Sequence, residues 1–189
     1  MQNSIESQNP ARPIHLFGSV IVGALAGAVI GAITNSINGA ISPLYFVNVL
    51  GWQNVDNVLH VSIIQGIVEG LIFGAILSLI FTSVVRFVSK NSCPHSVGVR
   101  YLLGIMGAAL CCWVLGGLIA MSLATVNADF YRKVIIGVPR DTNEMLRYAW
   151  VGGSIVGIQV GGFVCVILAS LLFRARWLRQ AWVTRTSTR

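Results

Sequence analysis

Residues 16–37 read LFGSVIVGALAGAVIGAITNSI, an apolar run without a charged residue or a proline. About 20 helical residues are enough to cross the roughly 30 Å hydrocarbon layer of a membrane. Three further runs qualify, at residues 59–85, 99–124 and 149–173, and all five prolines lie outside the four runs. Such uninterrupted runs do not fit the alternating pattern of a membrane β-barrel. The sequence therefore predicts an all-α fold, a four-helix transmembrane bundle.

The composition supports a membrane protein and excludes several other classes. Of the 189 residues, 55% are hydrophobic and 10% are charged, whereas a soluble domain carries about 25% charged residues. An ordinary soluble enzyme, a disordered tail and a secreted disulfide scaffold are therefore excluded. The sequence has no HExxH motif, no zinc-ligand spacing and no phosphate-binding loop. We expect a protein that is not an enzyme, with no cofactor and no metal.

The basic residues predict the orientation of the chain. Nine of them flank one side of the spans: Arg12, Arg86, Lys90, Arg100, Arg174, Arg176, Arg179, Arg185 and Arg189. The other side has four basic and four acidic residues: Arg132, Lys133, Arg140, Arg147, Asp56, Asp129, Asp141 and Glu144. By the positive-inside rule, both termini are cytoplasmic. The predicted segments are a cytoplasmic N-terminus at 1–15, a hairpin at 16–88, a cytoplasmic loop at 89–98, a second hairpin at 99–173 and a basic cytoplasmic tail at 174–189.

The predicted tail alternates arginines with Trp177 and Trp182. Basic and aromatic residues in alternation can bind nucleic acid, but five cations directly after a span are typical of a segment that lies on anionic lipid. Tryptophan prefers the headgroup zone of a membrane. We therefore expect the tail to contact anionic lipid and no nucleic acid.

The two halves of the chain align at an offset of 86 residues without a gap. Identical residues then pair as Gly18 with Gly104, Gly31 with Gly117, Ser36 with Ser122, Tyr45 with Tyr131, Gly51 with Gly137, Asn57 with Asn143 and Gly66 with Gly152. Each unit contains two spans, so both copies have the same orientation in the membrane. The alignment predicts two tandem hairpins related by an axis along the membrane normal.

The external segments at 42–52 and 128–137 are too apolar for solvated loops and too short to span. Each is predicted to lie at the membrane interface or to dip back into the protein. Tyr45, Trp52 and Tyr131 are the expected interface anchors here, as Trp177 and Trp182 are on the opposite side.

The first of these segments carries a resemblance. Asn35-Ser36-Ile37 is followed by Ser42-Pro43-Leu44-Tyr45-Phe46, and this arrangement resembles a group of bacterial multi-pass membrane proteins of uncharacterised activity. Those proteins carry a His-Asp-Gln-type triplet before a Ser-Pro-Glu-Tyr-Phe motif. This chain has Leu44 at the acidic position and lacks the triplet. The resemblance covers the first hairpin, and it implies a bacterial cytoplasmic (inner) membrane protein without implying an activity.

Glycines recur at four-residue spacing along the spans. The stripes are Gly23, Gly27 and Gly31 in the first span, Gly66, Gly70 and Gly74 in the second, and Gly153, Gly157 and Gly161 in the fourth; the third has Gly104 with Ala108. This spacing places the members of a stripe on one helix face, where small residues let two backbones approach closely. The stripes are explained either by packing within one bundle or by assembly with a second copy or another membrane subunit.

One acidic residue, Glu69, lies deep in a span. It is about 15 Å from the external end of its helix, a depth at which a carboxylate is costly and marks a functional hypothesis. Gln65 is one turn away, and His60 lies near the same face toward the outside. These three side chains are predicted to form a polar ladder, which would suit a proton or cation pathway. The structural alternative is a neutral Glu69 that hydrogen-bonds a backbone carbonyl or Gln159.

Polar residues also cluster where the first and third spans end. Thr34, Asn35, Ser36 and Asn38 lie at the first, and Ser122, Thr125 and Asn127 at the third. They suit helix ends, or a polar cavity shared with Glu69, Gln65 and Gln159.

Two function classes follow from these features. The first is a non-catalytic membrane subunit that assembles through its small-residue faces, as a homo-oligomer or in a larger complex. The second is a small transporter or channel whose pathway includes Glu69.

Overall fold

The computed structural model describes the backbone of residues 15–187 and the side chains of residues 15–180. Within these ranges the chain forms four long helices, two short ones and no strand. The helices are α1 (Leu16–Ile41), α2 (Pro43–Leu50), α3 (Val58–Ser89), α4 (His95–Val126), α5 (Ala128–Val134) and α6 (Thr142–Ser187). The four long helices are long and apolar enough to cross a membrane. The prediction of an all-α bundle with four spans is confirmed.

The bundle consists of two antiparallel hairpins, in which α1 packs on α3 and α4 packs on α6. The hairpins meet mainly through α3 and α6, where Phe81 lies edge-on to Phe173 with ring centroids 6.3 Å apart. We call the end where α1 begins and α6 ends the terminal face. The opposite end, which carries α2 and α5, is the short-helix face.

Backbone contact between glycines joins α1 to α3. A Cβ atom added at Gly27 would lie 2.1 Å from the carbonyl oxygen of Gly70, and one at Gly31 would lie 1.9 Å from that of Gly66. Gly23 faces Gly74 in the same way. These distances leave no room for any side chain, so the two stripes are used inside the chain.

The second hairpin closes through a similar contact. Gly153 and Gly157 face Gly116 on α4, and Gly161 faces Cys112. Gly104, by contrast, has no atom within 4 Å of where a Cβ would be. The stripe on α6 is therefore also used internally, whereas Gly104 leaves open space beside α4.

The short helices cover one end of the bundle. α2 begins at Pro43, whose missing N–H suits the first turn of a helix. It ends at Leu50, and the next residue, Gly51, has φ of 72°. α5 begins after Asn127, whose side chain accepts a hydrogen bond from the N–H of Phe130 at 3.0 Å. The segments at 42–52 and 128–137, predicted to lie at the membrane interface or to dip back, are thus mainly helical and lie at the short-helix face.

Helix α6 is longer than its predicted span. It continues through Ser187, because no proline or glycine follows Gly162 in it to end a helix. The described part of the predicted tail is therefore a continuation of α6 and not a separate segment. Trp177 is half-buried in it and stacks on Phe173 at 5.6 Å. The side chain of Trp182 lies outside the described residues.

Cys93, in the loop before α4, is fully buried. Burial raises the pKa of its thiol above the ordinary value, which lowers the fraction of reactive thiolate near neutral pH. With Cys111, Cys112 and Cys165 replaced by alanine, we expect maleimide to label Cys93 more than about tenfold slower in the folded protein than in SDS. The control is the same chain without Cys93 and with Ser96→Cys as its single cysteine. Maleimide should label it fast both in the folded protein and in SDS, because Ser96 is exposed. Equal rates at both positions would contradict the burial of Cys93.

Candidate functional site

Glu69 lies on α3, eleven residues after Val58, which places it about 16 Å along the helix axis from that end. The side-chain amide of Gln65 donates a hydrogen bond to Glu69 Oε1 at 2.7 Å. These residues are one turn apart, the spacing at which helical side chains meet. Glu69 is exposed on the surface of the chain, so this pair lies at the edge of the bundle and not in a sealed core.

A cavity of about 290 Å³ opens beside this pair and is bordered by all four long helices. All four helices contribute polar side chains to it: Thr34, Asn35 and Asn38 from α1, Glu69 from α3, Trp113 from α4 and Gln159 from α6. Its remaining walls are aliphatic and aromatic side chains together with the glycines of the α1–α3 contact. A mostly apolar cavity with a few convergent polar groups is the usual form of a small-ligand site.

Two buried polar atoms of residues that line the cavity have no hydrogen-bond partner within the described part of the chain. They are Asn38 Nδ2 and Trp113 Nε1. A buried polar group left unsatisfied costs about 1–3 kcal/mol, and native proteins contain few of them. Two N–H donors are therefore available to a polar species that enters the cavity.

Asn38 is held in place from the other hairpin. It is fully buried, and its Oδ1 accepts a hydrogen bond from Ser154 Oγ on α6 at 3.1 Å. With this oxygen occupied, the free amide nitrogen of Asn38 has a fixed direction. The contact also joins residues 116 positions apart in the sequence, so both hairpins are needed to build the site.

The structure brings together only part of the predicted polar ladder. Gln65 and Glu69 are hydrogen-bonded, and Gln159 lines the same cavity as Glu69. His60 is exposed in the first turn of α3, where its backbone N–H donates to Asn57 Oδ1 at 3.0 Å. No hydrogen bond among the described residues joins the His60 ring to Gln65.

The polar cluster at the end of the third span does not take part. Ser122 and Thr125 donate hydrogen bonds to Leu118 and Met121, each one turn earlier in their own helix, both at 2.8 Å. Sequence reasoning did not single out Trp113. It lies in an apolar run, and its one signal is that the indole N–H of a mid-span tryptophan needs a partner.

The tyrosines predicted as interface anchors lie against the protein. Tyr45 is half-buried and its ring is 5.1 Å from that of Tyr148, and Tyr131 is buried against α4 and α6. Trp52 is half-buried and stacks on Phe46 at 5.5 Å. Burial raises the pKa of Tyr45, and an ionised Glu69 carboxyl would raise it further. The phenol of Tyr45 therefore stays neutral and lies within electrostatic reach of the Glu69 carboxyl.

Comparison of the chain with protein-family models, with curated proteins and with solved structures finds no match. The functional argument therefore depends on the geometry of the cavity.

Proposed function

We propose that the protein is a small transporter or channel in which Glu69 binds a proton or a monovalent cation. The observation that carries this proposal is the Glu69 carboxyl, which lies about 16 Å along α3 and lines a cavity that is bordered by all four long helices. Ionisable groups within the membrane are rare and typically mark ion pathways and proton relays.

The polar groups that line the cavity favour a singly charged ion. Among the residues that the structure describes, Glu69 is the one carboxylate that lines the cavity, and the other polar groups are amides, a hydroxyl and an indole. One carboxylate balances one positive charge, whereas divalent ions take several oxygen ligands and often more than one carboxylate. The Gln65 amide already donates to Glu69 Oε1, which leaves Oε2 for the incoming proton or cation.

The test is ion flux in proteoliposomes made with the full chain. A potassium diffusion potential should drive proton uptake, followed with an internal pH-sensitive dye, and a parallel series should follow sodium uptake. We expect Glu69→Gln to reduce the flux by more than about tenfold, because the amide keeps the shape of the side chain but cannot ionise. Glu144→Gln is the matched control, since Glu144 is exposed in the first turn of α6.

Either of two outcomes would overturn the proposal. If both variants retain the wild-type flux of both ions, or if the folded wild-type protein passes neither ion, Glu69 has no role in transport.

A non-catalytic subunit that assembles with other chains is the second candidate. Because the glycine stripes of α1, α3 and α6 are used inside the chain, the open small-residue surface on α4, around Gly104 and Gly107, is the one this proposal needs. The exposure of Glu69 favours it, since a carboxyl at this depth is costly against hydrocarbon and a neighbouring copy would cover it. Native mass spectrometry of protein extracted with its own lipid tests this candidate: a defined oligomer or a co-purified subunit supports it, and a bare monomer contradicts it.

The location and orientation are part of the same proposal. We infer a bacterial cytoplasmic membrane protein with the terminal face in the cytoplasm. Among the described residues, the terminal face has basic side chains at Arg86, Lys90, Arg100, Arg174, Arg176 and Arg179 and no acidic one, whereas the short-helix face carries both signs. A reporter that is active only in the cytoplasm should be active when fused after residue 189, and a reporter that is active only outside should be silent there. The reverse result would overturn the orientation.

We also propose that the two hairpins arose by duplication. Each has a long helix, a short helix and a second long helix in the same order. Gly51 and Gly137, which pair at the 86-residue offset, both have positive φ, at 72° and 74°. Glu69 pairs with Ile155, so the proposed ion site belongs to one copy and would have arisen, or been lost from the other, after the duplication.

A further inference from the structure

We propose that the cleft between α4 and α6 at the terminal face is a binding site for an anionic phospholipid, whose phosphate is held by Arg100 and Arg176. The cleft has a volume of about 930 Å³, at the upper end of the roughly 300–1,000 Å³ range of small-molecule sites. It is separate from the cavity around Glu69, and none of the described residues lines both.

The charge of the cleft is concentrated at one end. Arg100 is in the second turn of α4, and Arg176 follows the apolar part of α6. None of the described residues that line the cleft is acidic. The rim of the cleft is therefore positive without an internal counter-ion, the condition under which a basic pocket between membrane helices binds a lipid headgroup.

The aromatic residues beneath the rim hold Arg176 in position. Its Nη1 donates a hydrogen bond to the hydroxyl of Tyr101 at 3.4 Å, and the Tyr101 ring lies edge-on to Phe173 at 5.6 Å. Arg100 has no hydrogen-bond or ion-pair partner among the residues that the structure describes. One guanidinium group is thus held by Tyr101 and the other is unpaired among the described residues. Together they suit a phosphate, which accepts several charge-assisted hydrogen bonds.

The rest of the cleft is apolar and suits an acyl chain. Gly104 and Ala108 form the α4 wall, and Leu168 and Leu172 form part of the α6 wall. The empty space beside Gly104 lies one turn further into the membrane than Arg100. A lipid with its phosphate at the rim would place an acyl chain along this wall. Phosphatidylcholine would also bring a quaternary ammonium toward the two arginines, so an anionic headgroup is favoured.

The experiment is native mass spectrometry of the full chain in a neutral detergent, titrated with dioleoyl phosphatidylglycerol or dioleoyl phosphatidylcholine. We expect one phosphatidylglycerol to bind more tightly than any phosphatidylcholine. Arg100→Gln and Arg176→Gln should each weaken phosphatidylglycerol binding by about fivefold. Arg179→Gln is the matched control, because it removes the same charge from the same end of α6 but does not line the cleft.

Two further measurements test the apolar wall and the source of the phosphate. Gly104→Leu should weaken lipid binding with both arginines intact, because its side chain fills the open space. Inorganic phosphate at millimolar concentration should fail to displace the lipid. Equal binding of the two lipids, an Arg179→Gln effect as large as that of Arg176→Gln, or displacement by inorganic phosphate would each overturn the proposal.

Discussion

Replacing Gly70 by leucine is expected to prevent α1 from packing on α3 and to abolish the folded bundle. A Cβ at Gly70 would lie 2.1 Å from the carbonyl oxygen of Gly27 and 3.2 Å from the Cα of Gly31. Both are backbone atoms, so relief requires the helices to separate, and the contact along the whole stripe is then lost. We expect a loss of more than about 4 kcal/mol in the free energy of unfolding, beyond the usual cost of an overpacked side chain.

Unfolding by SDS in mixed micelles, followed by tryptophan fluorescence, measures this loss. Gly104→Leu is the matched control, because it adds the same side chain to a membrane helix at a position with open space. It should change the unfolding free energy in detergent by less than about 0.5 kcal/mol. Wild-type stability of Gly70→Leu would mean that α1 and α3 do not meet through their glycines.

Replacing Gly137 by alanine is expected to detach α2 from the loop that follows α5. Gly137 has φ of 74°, and a Cβ there would lie 2.6 Å from the Cβ of Asn48 and 3.2 Å from the hydroxyl of Tyr148. Asn48 also donates a hydrogen bond from Nδ2 to the Gly137 carbonyl at 2.7 Å. The strained backbone and the steric clash act together, and we expect the free energy of unfolding to fall by about 2–3 kcal/mol.

Gly51→Ala separates the two causes. Gly51 has nearly the same φ, 72°, but its nearest neighbour to an added Cβ is Gln53 Oε1 at 3.9 Å. The free energy of unfolding of this variant should fall by about 1 kcal/mol, which is the cost of the left-handed backbone alone. Hydrogen exchange of the α2 amides should accelerate in Gly137→Ala more than in Gly51→Ala, and equal acceleration would contradict the clash.

The sequence predicted the four spans because apolar length depends on the membrane alone and needs no knowledge of packing. The contact faces were also readable, since four-residue glycine spacing puts Gly27 and Gly31 on one face. The partner of each face was not readable, because periodicity defines a direction on a helix and not what lies opposite. Periodicity alone therefore leaves open whether the stripes serve one chain or an assembly. In the structure the stripes of α1, α3 and α6 pack within the chain, whereas Gly104 on α4 faces open space.

The candidate site was partly predictable for the same reason. Gln65 and Glu69 are one turn apart, so their hydrogen bond follows from helix geometry. Asn38 and Ser154 are 116 residues apart, and their contact depends on how the two hairpins pack. Trp113 looks like any apolar residue in its run, and only the position of its N–H beside the cavity makes it a candidate.

The glycine contact has a consequence for what the cavity around Glu69 can accept. Five glycines, Gly27, Gly31, Gly66, Gly70 and Gly74, form part of its wall. A wall of main chain has no rotamers, so it cannot reshape itself around guests of different size, and it loses no side-chain entropy when one enters. This side of the cavity is therefore rigid, and its dimensions are determined when the hairpin folds, before any ligand binds.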